Sequence, residues 1–264
     1  MQDKQFIFLA GMHRSGTSLL HEIIRGHEHI SGFSNTGVPE DEGQHLQSVY
    51  EPAIAFGGPG KFAFDERSYM DEVHPLATGE NARKIYEEWS PHYDLSCPYL
   101  IEKSPPNLIR TRFLQKLYPD SKFIVILRHP LAISYATEKW SKTSISSLLD
   151  HTLKAYEAFF KDMKSLDSVY ILRYEEFVKE PQQVIENIFN YLSLDPIEIT
   201  HSIRTNINDK YFVMWEEDRK KIINRIFPNR FINKFEARVN NCGYSIADYN
   251  ALVPVDWLGE HQVA

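Results

Sequence analysis

The stretch Phe6–Leu20, FIFLAGMHRSGTSLL, constrains this chain most: an apolar run, a glycine-bounded turn, then an apolar helix start. Such a strand–turn–helix brings the N–H groups of the turn and the positive end of the helix dipole to one point, a cradle for an anion. Gly11 and Gly16 have the spacing of a P-loop, but the residues after Gly16 depart from it. A nucleoside-triphosphate loop continues Gly-Lys-Ser/Thr. Here Gly16 is followed by Thr17 and Ser18, and the cation sits inside the loop as Arg14. The loop suits a phosphate yet lacks the lysine that serves a γ-phosphoryl group.

The apolar runs Phe6–Ala10, Tyr99–Ile101, Phe123–Leu127 and Val169–Leu172 read as buried parallel strands. Helical patterns separate them at Thr17–Arg25, Asn107–Leu117, Leu131–Trp140 and Leu148–Met163, with Gln183–Leu192, Asn206–Trp215 and Trp215–Val239 after the last. Alternating strands and helices predict an α/β fold, a P-loop-containing doubly wound parallel sheet flanked by helices. At 264 residues the chain is expected to be a single domain, with residues 200–264 as a C-terminal helical segment. Between Ser31 and Ser96 the periodicity fails around Gly57-Gly58-Pro59-Gly60. A connection that long predicts a helical or irregular substrate-binding insertion.

Charge narrows the ligands. With a net charge of −7, nonspecific nucleic-acid binding is disfavoured, and an anion must be held by a local basic site. Cys97 and Cys242 make neither a disulfide framework nor a metal-ligand spacing. The chain enters its first strand without a signal-peptide pattern, and no run is long enough to cross a bilayer. The expectation is a soluble, cytoplasmic protein.

Arg128 follows FIVIL at the carboxyl end of a strand, the edge where doubly wound sheets bind ligands. Lys103 follows the Tyr99–Ile101 strand at the same edge. Each alone could be a surface residue. Arg14, Lys103 and Arg128 together on three strand ends predict a pocket for a ligand with two separated phosphates. The acidic stretch from Glu40 to Glu42, with His45 beyond it, offers carboxylates that could serve as a general base, or a solvated acidic turn. No acidic residue ending an apolar strand is placed to hold Mg²⁺ beside the loop, so no metal is expected and an NTP-dependent kinase is the weaker alternative.

With these residues assembled, the chain resembles the superfamily of sulfotransferases that use 3′-phosphoadenosine 5′-phosphosulfate (PAPS), nearest to the tyrosylprotein and carbohydrate enzymes and their bacterial relatives. Phe8–Leu20 is similar to the family's 5′-phosphosulfate loop, with Arg14 at its cationic position. Glu102–Arg128 resembles the lysine segment followed by the strand that ends in the 3′-phosphate arginine, and Tyr170–Leu194 resembles the strand–RYE–helix element. The resemblance implies transfer of a sulfuryl group from PAPS to a hydroxyl acceptor, leaving adenosine 3′,5′-bisphosphate (PAP). It implies that His13, Arg14, Ser15, Gly16, Thr17 and Ser18 hold the 5′-phosphosulfate, Arg128 the 3′-phosphate, and that Tyr174 lines the pocket. Arg14, Lys103 and Glu42 would be catalytic, with Glu40 and His45 as rival bases. The family places a serine beyond its 3′-phosphate arginine; Ala136 stands there in this chain, and Ser134 is the nearby hydroxyl. A catalytically inactive nucleotide-binding relative is the non-enzymatic alternative.

Overall fold

The protein is described by a computed structural model covering residues 3–220 and 228–256. Apolar, β-branched and aromatic runs form β1 (Gln5–Ala10), β2 (Ile30–Gly32), β3 (Tyr99–Lys103), β4 (Lys122–Leu127) and β5 (Val169–Arg173). All pair in parallel in the order β2-β3-β1-β4-β5. Parallel neighbours need crossover connections, and the crossover helices cover both faces of the sheet. Successive β1 residues therefore enter different cores. Phe6 and Phe8 join Trp89, Phe113, Phe123, Tyr156 and Phe159 on one face, whereas Ile7 and Leu9 join Leu20, Ile23, Phe177, Ile185 and Phe189 on the other. The fold is α/β with the doubly wound parallel sheet expected from the sequence, and β1 at its centre aims the phosphate loop between the ends of β3 and β4.

The helices are α1 (Thr17–Ile24), α2 (Gly79–Trp89), α3 (Thr111–Leu117), α4 (Pro130–Ser141), α5 (Ile145–Asp162), α6 (Tyr174–Lys179), α7 (Pro181–Leu192), α8 (Asp209–Lys220) and α9 (Pro228–Asn241). Several expectations need correction. The short edge strand β2 was not read from the sequence. Nor was α2, whose charged sequence GENARKIYEEW buries only Ala82, Ile85 and Trp89, and whose first turn is capped by Thr78 accepting from Asn81 N–H. The expected helix Asn107–Leu117 breaks at Arg110 (φ −135°, ψ 15°) into a 3₁₀ turn, Pro105–Ile109, and α3. The buried Arg110 guanidinium donates to the carbonyls of Ser68 and Glu51, which ties this break to the 31–96 segment. In the expected Trp215–Val239 helical region, residues 221–227, and with them Lys221, lie outside the described residues. Among the described residues beyond α9, through 256, there is no helix; Tyr244 and Leu252 form an antiparallel bridge.

Candidate functional site

The β1–α1 loop is shaped by two left-handed residues, Arg14 (φ 69°) and Gly16 (φ 104°). At Gly16 only glycine fits: a Cβ there would lie 2.7 Å from Tyr174 Cδ2. Ser15 N–H closes the turn onto Met12 O. No side chain caps the start of α1, and the buried Ser15 hydroxyl has no hydrogen-bond partner. The first-turn amides of a helix have no intrahelical acceptor, so this end presents donors and positive potential together.

Arg128 belongs to the same site. Its side chain donates to Arg14 O (2.5 Å), so the end of β4 grips the loop leaving β1. The guanidinium also donates twice to Asn208 Oδ1 (2.9 and 2.6 Å) and lies 4.2 Å from the centre of the Tyr174 ring. Asn208 Nδ2 donates to Glu175 Oε1, which also accepts His129 N–H, while Tyr244 O–H donates to Glu175 Oε2. Burial pulls Arg128 below the usual arginine range. Arg14 is exposed, with its guanidinium 4.8 Å from the Trp140 ring.

Lys103 is the last residue of β3, two places beyond the expected strand end. Glu102 and Lys103 are charged, so the apolar pattern stops at Ile101 while the pairing with β1 continues. The Lys103 ammonium is buried and lies 3.4 Å from Glu42 Oε1 and 2.9 Å from Glu40 O. Glu42 also accepts from Gln44 Nε2, and burial raises its carboxyl above the usual range against the opposing pull of Lys103. Of the three candidate bases, Glu42 alone is buried against a cation. Glu40 is exposed and offers Lys103 its carbonyl, and His45 Nε2 stands 4.0 Å from Glu42 Oε2.

His13 registers the convergence of the cations. Burial, then Lys103, then Arg14 lower it to about 4, and its Nδ1 is buried without a partner. Thr17 is buried and Ser18 exposed on the first turn of α1. Ser134 is fully buried, and its hydroxyl donates to Pro130 O within its own helix (2.7 Å). Tyr156, Met163 and Trp215 are core residues, whereas Tyr211 is buried yet lies 5.7 Å from the Arg128 guanidinium.

Sequence reasoning missed Glu102, Asn208 and Glu175. Asn208 carries no local signal, because it meets Arg128 across 80 residues of chain, whereas Glu175 ends the RYE element and only its contact with His129, across 46 residues, was hidden. Glu102 had a local signal: two charges directly continuing an apolar run. The assembled site is a donor-rich cradle between two cationic strand ends, with a buried carboxylate at its border.

A model of the Sulfotransferase family matches residues 6–198. The chain is 23% identical to protein-tyrosine sulfotransferase 1 of Danio rerio over 202 residues, covering 73% of this chain and 54% of that protein. It is 24% identical to protein-tyrosine sulfotransferase 2 of Gallus gallus over 204 residues, covering 73% of this chain and 52% of that protein. The chain thus spans about half the length of these curated relatives. The sulfotransferase STF9 from Mycobacterium avium shares its fold, with a TM-score of 0.51 at 13% identity over 83% of this chain and 69% of that one.

Proposed function

The chain belongs to the sulfotransferase family, and from that premise we propose that it transfers the sulfuryl group of PAPS to a hydroxyl-bearing acceptor. The observation that carries this reading is the hydrogen bond from Arg128 to Arg14 O, which makes one binding edge of two strand ends. A donor with phosphates at its 3′ and 5′ positions needs two separated anion sites on such an edge. The residues fit it: the start of α1 has no side-chain cap, and the Ser15 hydroxyl is buried without a partner. Arg14, Ser15 and the amides through Ser18 would hold the 5′-phosphosulfate, with Arg128 and Tyr174 at the 3′-phosphate. Ser134, whose hydroxyl serves its own helix, would offer that phosphate no donor without giving up Pro130 O.

PAPS supplies a sulfuryl group on a phosphate leaving group. Glu42 would take the proton of the attacking hydroxyl, whose oxygen bonds to sulfur as the sulfur–phosphate oxygen bond breaks. Lys103 and Arg14 would face the negative charge left on that phosphate, and such a donor typically contributes ~10²–10³ in rate. The raised carboxyl of Glu42 supports the base role, because a carboxylate above its usual range accepts protons more readily. Residues 31–96, which carry Glu42, would contact the acceptor, and residues 1–264 would act as one domain. No helix among the described residues is long and apolar enough to cross a membrane. The unpaired Cys97 and Cys242 support a reducing, cytoplasmic setting.

Calorimetry against PAP and against ATP with Mg²⁺ tests the reading. PAP should bind without a metal and ATP much more weakly; preferential binding of ATP with Mg²⁺ overturns it in favour of a kinase. Labelled PAPS offered with tyrosine peptides and then with oligosaccharides identifies the acceptor. Glu42→Gln should lower turnover far more than PAP affinity. Should Glu40→Gln or His45→Ala do so instead, the base has been misassigned.

A further inference from the structure

We propose that Glu102 is the positioning residue for Glu42, holding from below the turn that presents this carboxylate; the inference rests on Glu42 being the base. Glu102 is fully buried at the carboxyl end of β3. Its Oε1 accepts Gly43 N–H (2.9 Å) and the Ser104 hydroxyl, and its Oε2 accepts Asn107 Nδ2. The peptide group on the carboxyl side of Glu42 is therefore fixed by its nitrogen. The carbonyl of Gly43 is fixed as well, by Trp89 Nε1 (2.9 Å), and the next amide, Gln44 N–H, donates to Ser104 Oγ (3.1 Å). Gln44 then turns its own amide back onto Glu42.

The contact leaves no slack. A Cβ on Gly43 would lie 2.6 Å from both Cγ and Oε1 of Glu102, so the glycine lets the backbone settle directly on the carboxylate. Neighbouring residues of a strand point to opposite faces, yet Glu102 and Lys103 both serve the same turn. The turn crosses the end of β3, so Glu102 receives its backbone while Lys103 receives the Glu42 side chain and the Glu40 carbonyl. One strand end thus fixes both the position and the direction of the carboxylate.

A buried carboxylate among three donors could be a strut for the fold and nothing more. What sets the two roles apart is whether Glu42 responds. Glu42 and Glu102 repel each other, and burial together with this repulsion raises Glu102 to about 7. Lys103 pulls the Glu42 carboxyl down against burial, so a Glu42 displaced from Lys103 should lose its proton at higher pH.

The test uses Glu102→Gln and Ser104→Ala in the full chain, with PAP calorimetry, labelled sulfate released from PAPS to water and to a tyrosine peptide, and a crystal structure of each variant. A displacement of about 1 Å at a reacting group can cost ~10²-fold. Turnover should fall tenfold or more in both variants, with PAP affinity within twofold of the parent. The acid limb of the Glu102→Gln profile should move to higher pH as the Glu42 carboxylate leaves Lys103 in the crystal structures. Unchanged turnover with Glu42 still on Lys103 overturns the proposal, as does a loss of PAP affinity equal to the loss of turnover. If Glu102→Gln does not fold, Ser104→Ala decides. If the parent shows no turnover, the position of Glu42 in the variant structures decides. Failure of the parent to bind PAP instead overturns the sulfotransferase reading on which the proposal stands.

Discussion

The Arg128 guanidinium stacks on the Tyr174 ring at 4.2 Å, and the same ring presses on Gly16 of the phosphate loop. Cation, ring and loop backbone form one column, so an error in any layer is felt in the others.

Arg128→Lys is the most direct probe of that column. Lysine cannot reproduce the planar fork that serves Asn208 and the Arg14 carbonyl together. We expect PAP affinity to fall by roughly 10- to 100-fold, in line with losing one charge-assisted bidentate contact. Binding of adenosine 5′-monophosphate, which lacks the 3′-phosphate, should change much less. Isothermal titration with the two nucleotides checks both; equal losses would remove Arg128 from the 3′-phosphate site.

Gly16→Ala should damage the loop without touching a charge. The new methyl meets Tyr174 at 2.7 Å, on a backbone at φ 104° that other residues rarely adopt. A cost of roughly 1–3 kcal/mol in stability is expected, read as a lower urea midpoint, together with weaker PAP binding as Tyr174 yields. Full stability and affinity would show that the loop has room that the geometry denies.

Lys103→Met leaves the Glu42 carboxylate buried without its cation, since both side chains are almost inaccessible to water. Removing one member of a buried pair typically costs about 3–5 kcal/mol. Adding Glu42→Gln to that variant should restore a large part of the loss. Denaturant unfolding of the single and double variants checks this, and additive losses would mean that the two side chains do not interact.

Four histidines should make the protein acid-sensitive. Burial lowers His13 and His129 to about 4, and His21 and His151 to about 3. Each stays neutral in the folded protein while its unfolded counterpart takes up a proton near 6.5. Stability is therefore fully present above pH 6.5 and falls as the pH drops towards 4, by roughly 1.4 kcal/mol per pH unit for each histidine. Glu102 runs the other way, its folded value of about 7 standing above an unfolded 4.5, so its contribution is lost as pH rises between those values. Glu42 and Asp162 are raised by burial as well, and the three carboxyls together only partly offset four imidazoles. Urea midpoints from pH 7 to 4.5 should fall, and His151→Gln should flatten the slope.

The fold was legible where physics is local. Phe6–Ala10 and Phe123–Leu127 are covered on both faces, so they read as unbroken apolar runs and fall within the observed β1 and β4. Arg128 could be found because it stands directly after such a run, and Arg14 because it lies inside the glycine-bounded turn that follows one. Legibility ended where polar residues do structural work. Glu102 and Lys103 extend β3 by two residues, and α2 hides a narrow apolar stripe in a charged segment. The Asn208–Glu175 link was beyond reach, since an amide and a carboxylate far apart in sequence announce nothing until the chain folds them together.

Asn208 and Tyr244 fasten the C-terminal segment to the single carboxylate of Glu175, and Asn208 fastens it to Arg128 just beyond β4. Shortening the protein after α7 would remove the amide that aims Arg128 and leave Glu175 without both of these donors. With Arg128 at the proposed 3′-phosphate site, the tail becomes a wall of the nucleotide pocket, and any trimmed or grafted version must keep the chain through Tyr244 to keep that wall standing.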